Sequence, residues 1–169
     1  MKTIIFLLGY IMLLQGCVYP ISKDLVEKTD RTLTFEMLQA DPDRYKEKLV
    51  ILGGSIAAIT GMVEGSLIDV DQIPLDYWGK PIRTKARGRF LVYTPLYLDP
   101  NIYTPGSEIT VAGEIEGTTL KLPGNTKAVK YTIPVLFSKE LKLWPKKRAP
   151  EQPSWWDPLS TMFNPSQEQ

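Results

Sequence analysis

Histidine is missing from this chain of 169 residues, and cysteine occurs once. Without an imidazole there is no Ser-His-Asp triad, no Cys-His pair and no zinc site that needs a His ligand. A lone Cys closes no disulfide within the chain. An excess of charge of one sign is missing too, since 20 Lys and Arg face 19 Asp and Glu. Such a balance gives no overall field for nucleic acid, whose affinity comes largely from neutralised phosphates, so no nucleic-acid partner is expected. The length suits one domain with tails. Ile4 to Leu14, interrupted only by Gly9, is an apolar run of eleven residues, where a membrane-spanning helix needs about 20.

That short run has a specific setting. Lys2 precedes it and Gln15-Gly16-Cys17 follow it. A basic start, a short apolar stretch and a small residue at a break in hydrophobicity are the parts of a secretory signal peptide. Leu14-Gln15-Gly16-Cys17 resembles the lipobox of bacterial lipoproteins, in which the Cys thiol is acylated, the signal is cut before it and the new amino group is acylated in turn. An ordinary signal with an incidental Cys, or a buried helix, is the competing reading. The order of the elements predicts residues 1–16 as signal peptide, cleavage between Gly16 and Cys17, and a covalent lipid such as palmitate on Cys17, with no other cofactor. Two or more acyl chains hold a protein on a membrane almost permanently. Val18 stands where enterobacterial lipoproteins kept in the inner membrane typically carry Asp, so the resemblance implies the outer membrane. Loss of Lys2 with the signal leaves 19 basic and 19 acidic side chains, and the mature chain is neutral.

Residues 17–31 read as a lipidated tether, polar and without core-forming periodicity. Thr34 is the expected N-cap of a short helix through Ala40, with Phe35 and Leu38 on one face and Glu36 in the first turn; Asp41-Pro42 ends it. From Leu49 the pattern becomes that of strands. Leu49 to Thr60 is a hydrophobic stretch whose Gly53-Gly54 suggests a bulge or sharp bend. Ser66 to Ile73 is a second strand, Pro74 to Pro81 a long connection, and a third strand lies near Arg87 to Tyr93. The clearest alternation follows: Ile109, Val111, Gly113 and Ile115 point one way, and Glu108, Thr110, Ala112, Glu114 and Glu116 the other, predicting one buried and one wet face. After a turn region at Gly117 to Asn125, Val129 to Phe137 alternate again, with Pro134 expected at an edge or bulge. Leu141 and Leu143 carry a last short strand into Trp144. The expected fold is mainly β: a small antiparallel OB-like β-barrel over 32–144 with one short N-terminal helix, a β-sandwich being the alternative. Beyond it, residues 145–169 hold Pro145, Pro150, Pro153, Pro158 and Pro165, and read as a disordered Pro-rich tail.

These positions resemble the Slp (starvation-inducible) family of bacterial outer-membrane lipoproteins. The likeness begins at Leu38 with Pro42, Tyr45, Lys48, Val50, Gly53-Gly54 and Ile56. It continues through Ile68, Val70, Pro74-Leu75-Asp76, Gly79, Pro81, Gly88-Arg89-Phe90 and Leu98-Asp99-Pro100 with Tyr103 and Gly106. It ends with Thr110-Val111, Gly113, Gly117, Tyr131, Pro134-Val135 and Leu143-Trp144. Leu96-Tyr97 departs from the family's Gly-Phe, and Ile133 from a second Tyr. The resemblance implies location and fold; the family has no assigned active site.

Lys80, Arg83, Lys85, Arg87 and Arg89 form a basic stretch. If the backbone is extended, Arg83, Lys85, Arg87 and Arg89 share one face and could take an anionic envelope ligand or an acidic partner. The competing expectation is a solvated face balanced by Asp69 and Asp71 across a hairpin. Asp69, Asp71, Asp76 and Asp99 invite an acid/base reading, but no His, Cys or nucleophile elbow supports it, and Asp69-x-Asp71 lacks the Gly and distal Glu of a calcium loop. No catalytic residue and no metal site are assigned. Trp155-Trp156 in the tail would dock on the barrel, on a partner or at a headgroup layer, while Lys146-Lys147-Arg148 reads as a solubilising run. The sequence thus predicts a non-enzymatic lipoprotein of the outer membrane, its domain facing the periplasm. It would act as a structural or interaction module with envelope protein partners, in an envelope or secretion-type assembly. The alternative is a binding module for an anionic envelope ligand through residues 83–89.

Overall fold

The computed structural model describes residues 19–82, 84–120 and 129–145. Gly16, Cys17, Arg83 and Trp155-Trp156 lie outside them. The expectation of a tether as far as residue 31 needs correction. Ile21 is buried, Lys23–Lys28 form a short helix, α1, and the Asp30 amide donates to the Leu49 carbonyl at 3.1 Å. Ion pairs one turn apart, Lys23 with Glu27 and Lys28 with Asp24, hold a helix whose own face is mostly wet.

The expected helix is present as α2 (Phe35–Ala40), with the Thr34 hydroxyl accepting from the Met37 amide. Its buried side chains are Phe35 and Leu38. Asp41 ends it and caps a 3-10 turn over Pro42–Tyr45 by accepting from the Arg44 amide. Five strands follow: β1 (Leu49–Gly61), β2 (Ser66–Gln72), β3 (Arg89–Thr94), β4 (Glu108–Leu120) and β5 (Val129–Leu143). They pair in the order β1-β2-β3-β5-β4, and β4 returns to β1, so the sheet closes into a ring. Four pairings are antiparallel, but β3 and β5 run parallel, which corrects the wholly antiparallel expectation. The strand expected at Leu141 and Leu143 is the end of β5, continuous from Val129.

Period-two alternation explains the interior. Along β2, Ser66, Ile68, Val70 and Gln72 are buried while Leu67, Asp69 and Asp71 are half-exposed. The inward residues Val50, Leu52, Ile56, Ile68, Val70, Phe90, Val92, Ile109, Val111, Ile115 and Leu136 pack with Phe35 and Leu38 as one core. The Phe35 and Phe90 rings lie 6.0 Å apart. Unlike a one-sided strand, β3 is buried on both faces: Leu91 and Tyr93 pack outside the ring with Val135, against Leu67, Tyr131, Ile133 and Phe137.

The irregular positions are placed differently from expectation. The shift in the β1–β2 register falls between Ile56 and Ala58, not at Gly53-Gly54. Those glycines instead mark close approaches. A Cβ on Gly53 would overlap Leu75 and lie 2.9 Å from the Ile73 carbonyl oxygen, and one on Gly54 would overlap Val70. Pro134 does fall in an irregular stretch, since β4 pairs Thr119 with Lys130 and then Gly117 with Val135. Gly117, expected to open the turn, stays within β4 at φ +81°.

Asp43 of the 3-10 turn packs against that bend. Its carboxylate accepts from the Thr118 hydroxyl at 2.8 Å and the Thr118 amide at 3.2 Å, and pairs with Lys46 at 2.8 Å. The Lys46 hydrogen bond, then those from Thr118, lower its pKa to about 2. A depressed carboxyl pKa means that the stabilisation is complete above the unfolded-state value and is lost as pH falls through the folded one. Asp43→Asn should therefore lower the melting temperature at neutral pH. The wild-type and variant curves, followed by circular dichroism, should converge as pH drops from about 4 to about 2.

Candidate functional site

Among the described residues of the basic stretch, Arg87 and Arg89 turn to different elements. Among the described residues of 80–89, only Arg89 belongs to a strand. It lies across β2, where it pairs with Asp71 at 2.8 Å and Asp69 at 3.4 Å. The Asp71 hydrogen bond, followed by the charges of Asp69 and Asp71, raises the Arg89 pKa. Arg87 turns to Glu36 of α2 at 3.2 Å. Lys85 is exposed with no ion pair among the described residues, and Arg83 lies outside them. The balancing of charge across the hairpin is thus realised at Arg89, and Arg87 is paired as well. The other carboxylates are also engaged: Asp99 accepts from the Asn101 amide and side chain in a turn.

The connection between β2 and β3 has the more informative geometry. At Gly53 it crosses the outer face of β1, where the missing side chain makes room for Leu75. An isolated bridge joins Leu75 to Pro81, and the Ile82 amide donates to the Pro74 carbonyl at 2.9 Å. Inside this stem, one Asp76 carboxylate oxygen accepts from the Trp78 amide at 2.8 Å and the Lys80 amide at 2.9 Å. Gly79 completes the turn at φ +74°, a conformation that glycine reaches without steric cost. Asp76 is therefore a turn-forming residue.

This loop covers part of the β4 face that alternation predicts to be wet. Thr110 and Ala112 are fully buried there. The Thr110 hydroxyl donates to the Gly79 carbonyl at 2.6 Å and accepts from Trp144 Nε1 at 2.9 Å. Lys80 Nζ sits 5.3 Å from the Trp144 ring centroid, within cation–π range. From the other side, Tyr19 lies against Gly79: a Cβ there would stand 2.6 Å from the Tyr19 ring. Burial raises the Tyr19 pKa, with nearby Arg31 opposing and Asp76 adding to the shift. Tyr19 and Trp144, from opposite ends of the described chain's sequence, thus meet on one loop. Beside it a cleft of about 870 Å³ runs between residues 19–33 and Leu75, Tyr77 and Trp78, with Val50 and Ile51 also lining it.

Sequence reasoning picked out Pro74 to Pro81 as a connection but missed Tyr19, Thr110 and Trp144 as its supports. The turn signal was present in Asp76 and Gly79; the contacts across the ring had no local signal. Thr110→Val keeps the side chain's shape but leaves a buried carbonyl and an indole N–H without partners, a cost of about 1–3 kcal/mol. It should lower the melting temperature and shift Trp144 fluorescence, whereas Arg89→Gln, at an exposed ion pair, should leave the melting temperature nearly unchanged.

Solved structures resemble the chain only distantly. A chain of the Stn1–Ten1 complex of S. pombe matches at 16% identity and a TM-score of 0.32, covering 57% of this chain and 57% of that one. The mitochondrial single-stranded DNA binding protein Rim1 of S. cerevisiae matches at 13% identity and the same TM-score of 0.32, over 57% of this chain and 93% of that one. At such scores neither likeness carries an argument. No curated protein matches the chain. The family comparison is decisive in extent: the profile described as "Outer membrane lipoprotein Slp family" matches residues 14–167, from before Cys17 through the ring and the Pro-rich segment. The protein belongs to the Slp family of outer membrane lipoproteins.

Proposed function

We propose that the chain is cut before Cys17, acylated there, and held on the outer membrane as a non-enzymatic interaction module with its domain in the periplasm. The observation that carries this reading is continuity between the lipobox and the fold. The family match spans Leu14-Gln15-Gly16-Cys17, and only two residues later Tyr19 is already packed on the loop of residues 74–81. Two residues of extended chain reach about 7 Å, so acyl chains on Cys17 would hold the domain against the membrane. In this reading the ring is an OB-like barrel, consistent with its strand order and the parallel β3–β5 pair. The acidic residues that invite an acid/base reading serve as turn and ion-pair partners, which supports a role without catalysis.

An interaction role has a surface to work with. At the end of β1 away from the N-terminal segment, Val63 is 90% and Tyr97 72% exposed. The two are joined by a hydrogen bond from the Tyr97 hydroxyl to the Val63 carbonyl, and Leu96 is exposed beside them. Apolar groups displayed away from the membrane suit an envelope protein partner; nucleic acid has no part in this account. Cys17→Ala should release the protein or mislocalise it from the outer membrane, and unchanged outer-membrane attachment would refute the anchor. Extraction in mild detergent should retain a stoichiometric partner that is lost in Val63→Ser/Tyr97→Ser; a lone monomer from the unaltered protein would defeat the assembly reading.

A further inference from the structure

We propose that the Tyr77–Trp78 pair is a second, non-covalent membrane contact that enters the headgroup layer of the leaflet holding the acyl chains and fixes how the domain sits on it. The inference rests on acylation at Cys17. Tyr77 is 87% and Trp78 55% exposed, and their rings form an edge-to-face pair 5.2 Å apart at 85°. Two adjacent large aromatics turned outward on a turn are costly to leave in water, unless something covers them.

The loop is preordered for such a contact. The Asp76 carboxylate ties the Trp78 and Lys80 amides, the Asp76 amide donates to the Lys80 carbonyl at 2.8 Å, and the Gly79 amide to the Asp76 carbonyl at 3.0 Å. Below it, Thr110 holds the Gly79 carbonyl. Ordering entropy is therefore already spent before any surface is met, which favours binding by exposed side chains.

Location selects the occupant. Tyr19 touches Gly79, the neighbour of Trp78, and Cys17 is two residues before it. The Cα atoms of Cys17 and Tyr19 are thus at most about 7.6 Å apart. An anchor so near confines the aromatic pair to the membrane surface and converts a weak contact into an intramolecular one. Tyr and Trp are the side chains that settle at this depth, with apolar rings toward the acyl chains and polar atoms toward water. The surrounding charge agrees. Arg31 lines the cleft shared with Tyr77 and Trp78, while the acidic groups nearby are occupied: Glu27 by Lys23, Asp30 by Lys48 and Asp76 by backbone amides.

The test uses the lipidated full-length protein, purified from membranes and reconstituted in phosphatidylethanolamine–phosphatidylglycerol vesicles. With Cys17 acylated, Tyr77→Cys or Val63→Cys supplies the only free thiol for a nitroxide label. Electron paramagnetic resonance should give an oxygen-to-aqueous-chelate accessibility ratio several-fold higher at 77 than at 63. A label at 77 that is as water-exposed as one at 63, in protein that floats with the vesicles, overturns the inference while leaving the anchor intact. Should residue 77 be shielded in native membranes but not in pure lipid, the occupant is a protein and the inference also falls. Labelling of Cys17 itself would show it unacylated, and both readings would fail together. As a second measurement, Tyr77→Ser/Trp78→Ser should raise the rotational mobility of the label at 63 on vesicles; unaltered mobility contradicts the proposal.

Discussion

The passage of the β2–β3 connection over the outside of β1 is the constraint on which the functional half of the structure depends. It requires that Gly53 have no side chain, because Leu75 occupies that space. Once across, the loop brings a carbonyl, that of Gly79, onto the outer face of β4, and Thr110 is the hydroxyl that meets it. A buried hydroxyl with one donor and one acceptor role filled is a stable arrangement. Here its second partner is Trp144, directly after β5, so that residue, β4 and the loop share one polar contact. Tyr19 closes the same site from the N-terminal side.

Among the described residues, eight ion pairs match charge locally. Arg89, Arg87, Lys46 and Lys139 all meet carboxylates, on β2, α2, the 3-10 turn and β4. A chain with 20 basic and 19 acidic side chains and locally matched charges casts little field into solution. What it displays instead are aromatic and aliphatic side chains on turns: Tyr77 and Trp78 on one connection, Val63, Leu96 and Tyr97 on two others. The two groups sit toward opposite ends of β1, as the proposed membrane and partner contacts require.

The elements legible in the sequence were those set by local chemistry. The Thr34 cap, the Asp41-Pro42 stop and the inward set of β4, Ile109, Val111, Gly113 and Ile115, depend on neighbours a few residues away, and each is found where the pattern places it. The parallel β3–β5 pair was not legible, since strand direction in a ring is a property of the whole path. Nor was burial of Thr110 and Ala112: a polar-reading face becomes buried when a distant loop lies on it. Residues 19–31 misled for the same reason. Their composition is polar, yet Ile21 and Tyr19 are held by the ring and its loop. For the basic stretch, spacing by two implied a common face, but the strand starts only at Arg89 and each described arginine finds its own carboxylate.

The central claim is that the face formed by Tyr19 and the loop of residues 74–81 lies against the membrane. Hydroxyl-radical footprinting tests it most directly, comparing the acylated protein on vesicles with a form that begins at Val18 and has neither signal nor acylated Cys. Tyr77 and Trp78 should oxidise several-fold more slowly on the membrane, while Tyr97, exposed at the other end, should oxidise at the same rate in both. Equal rates at Tyr77 and Trp78 in the two forms would contradict the account.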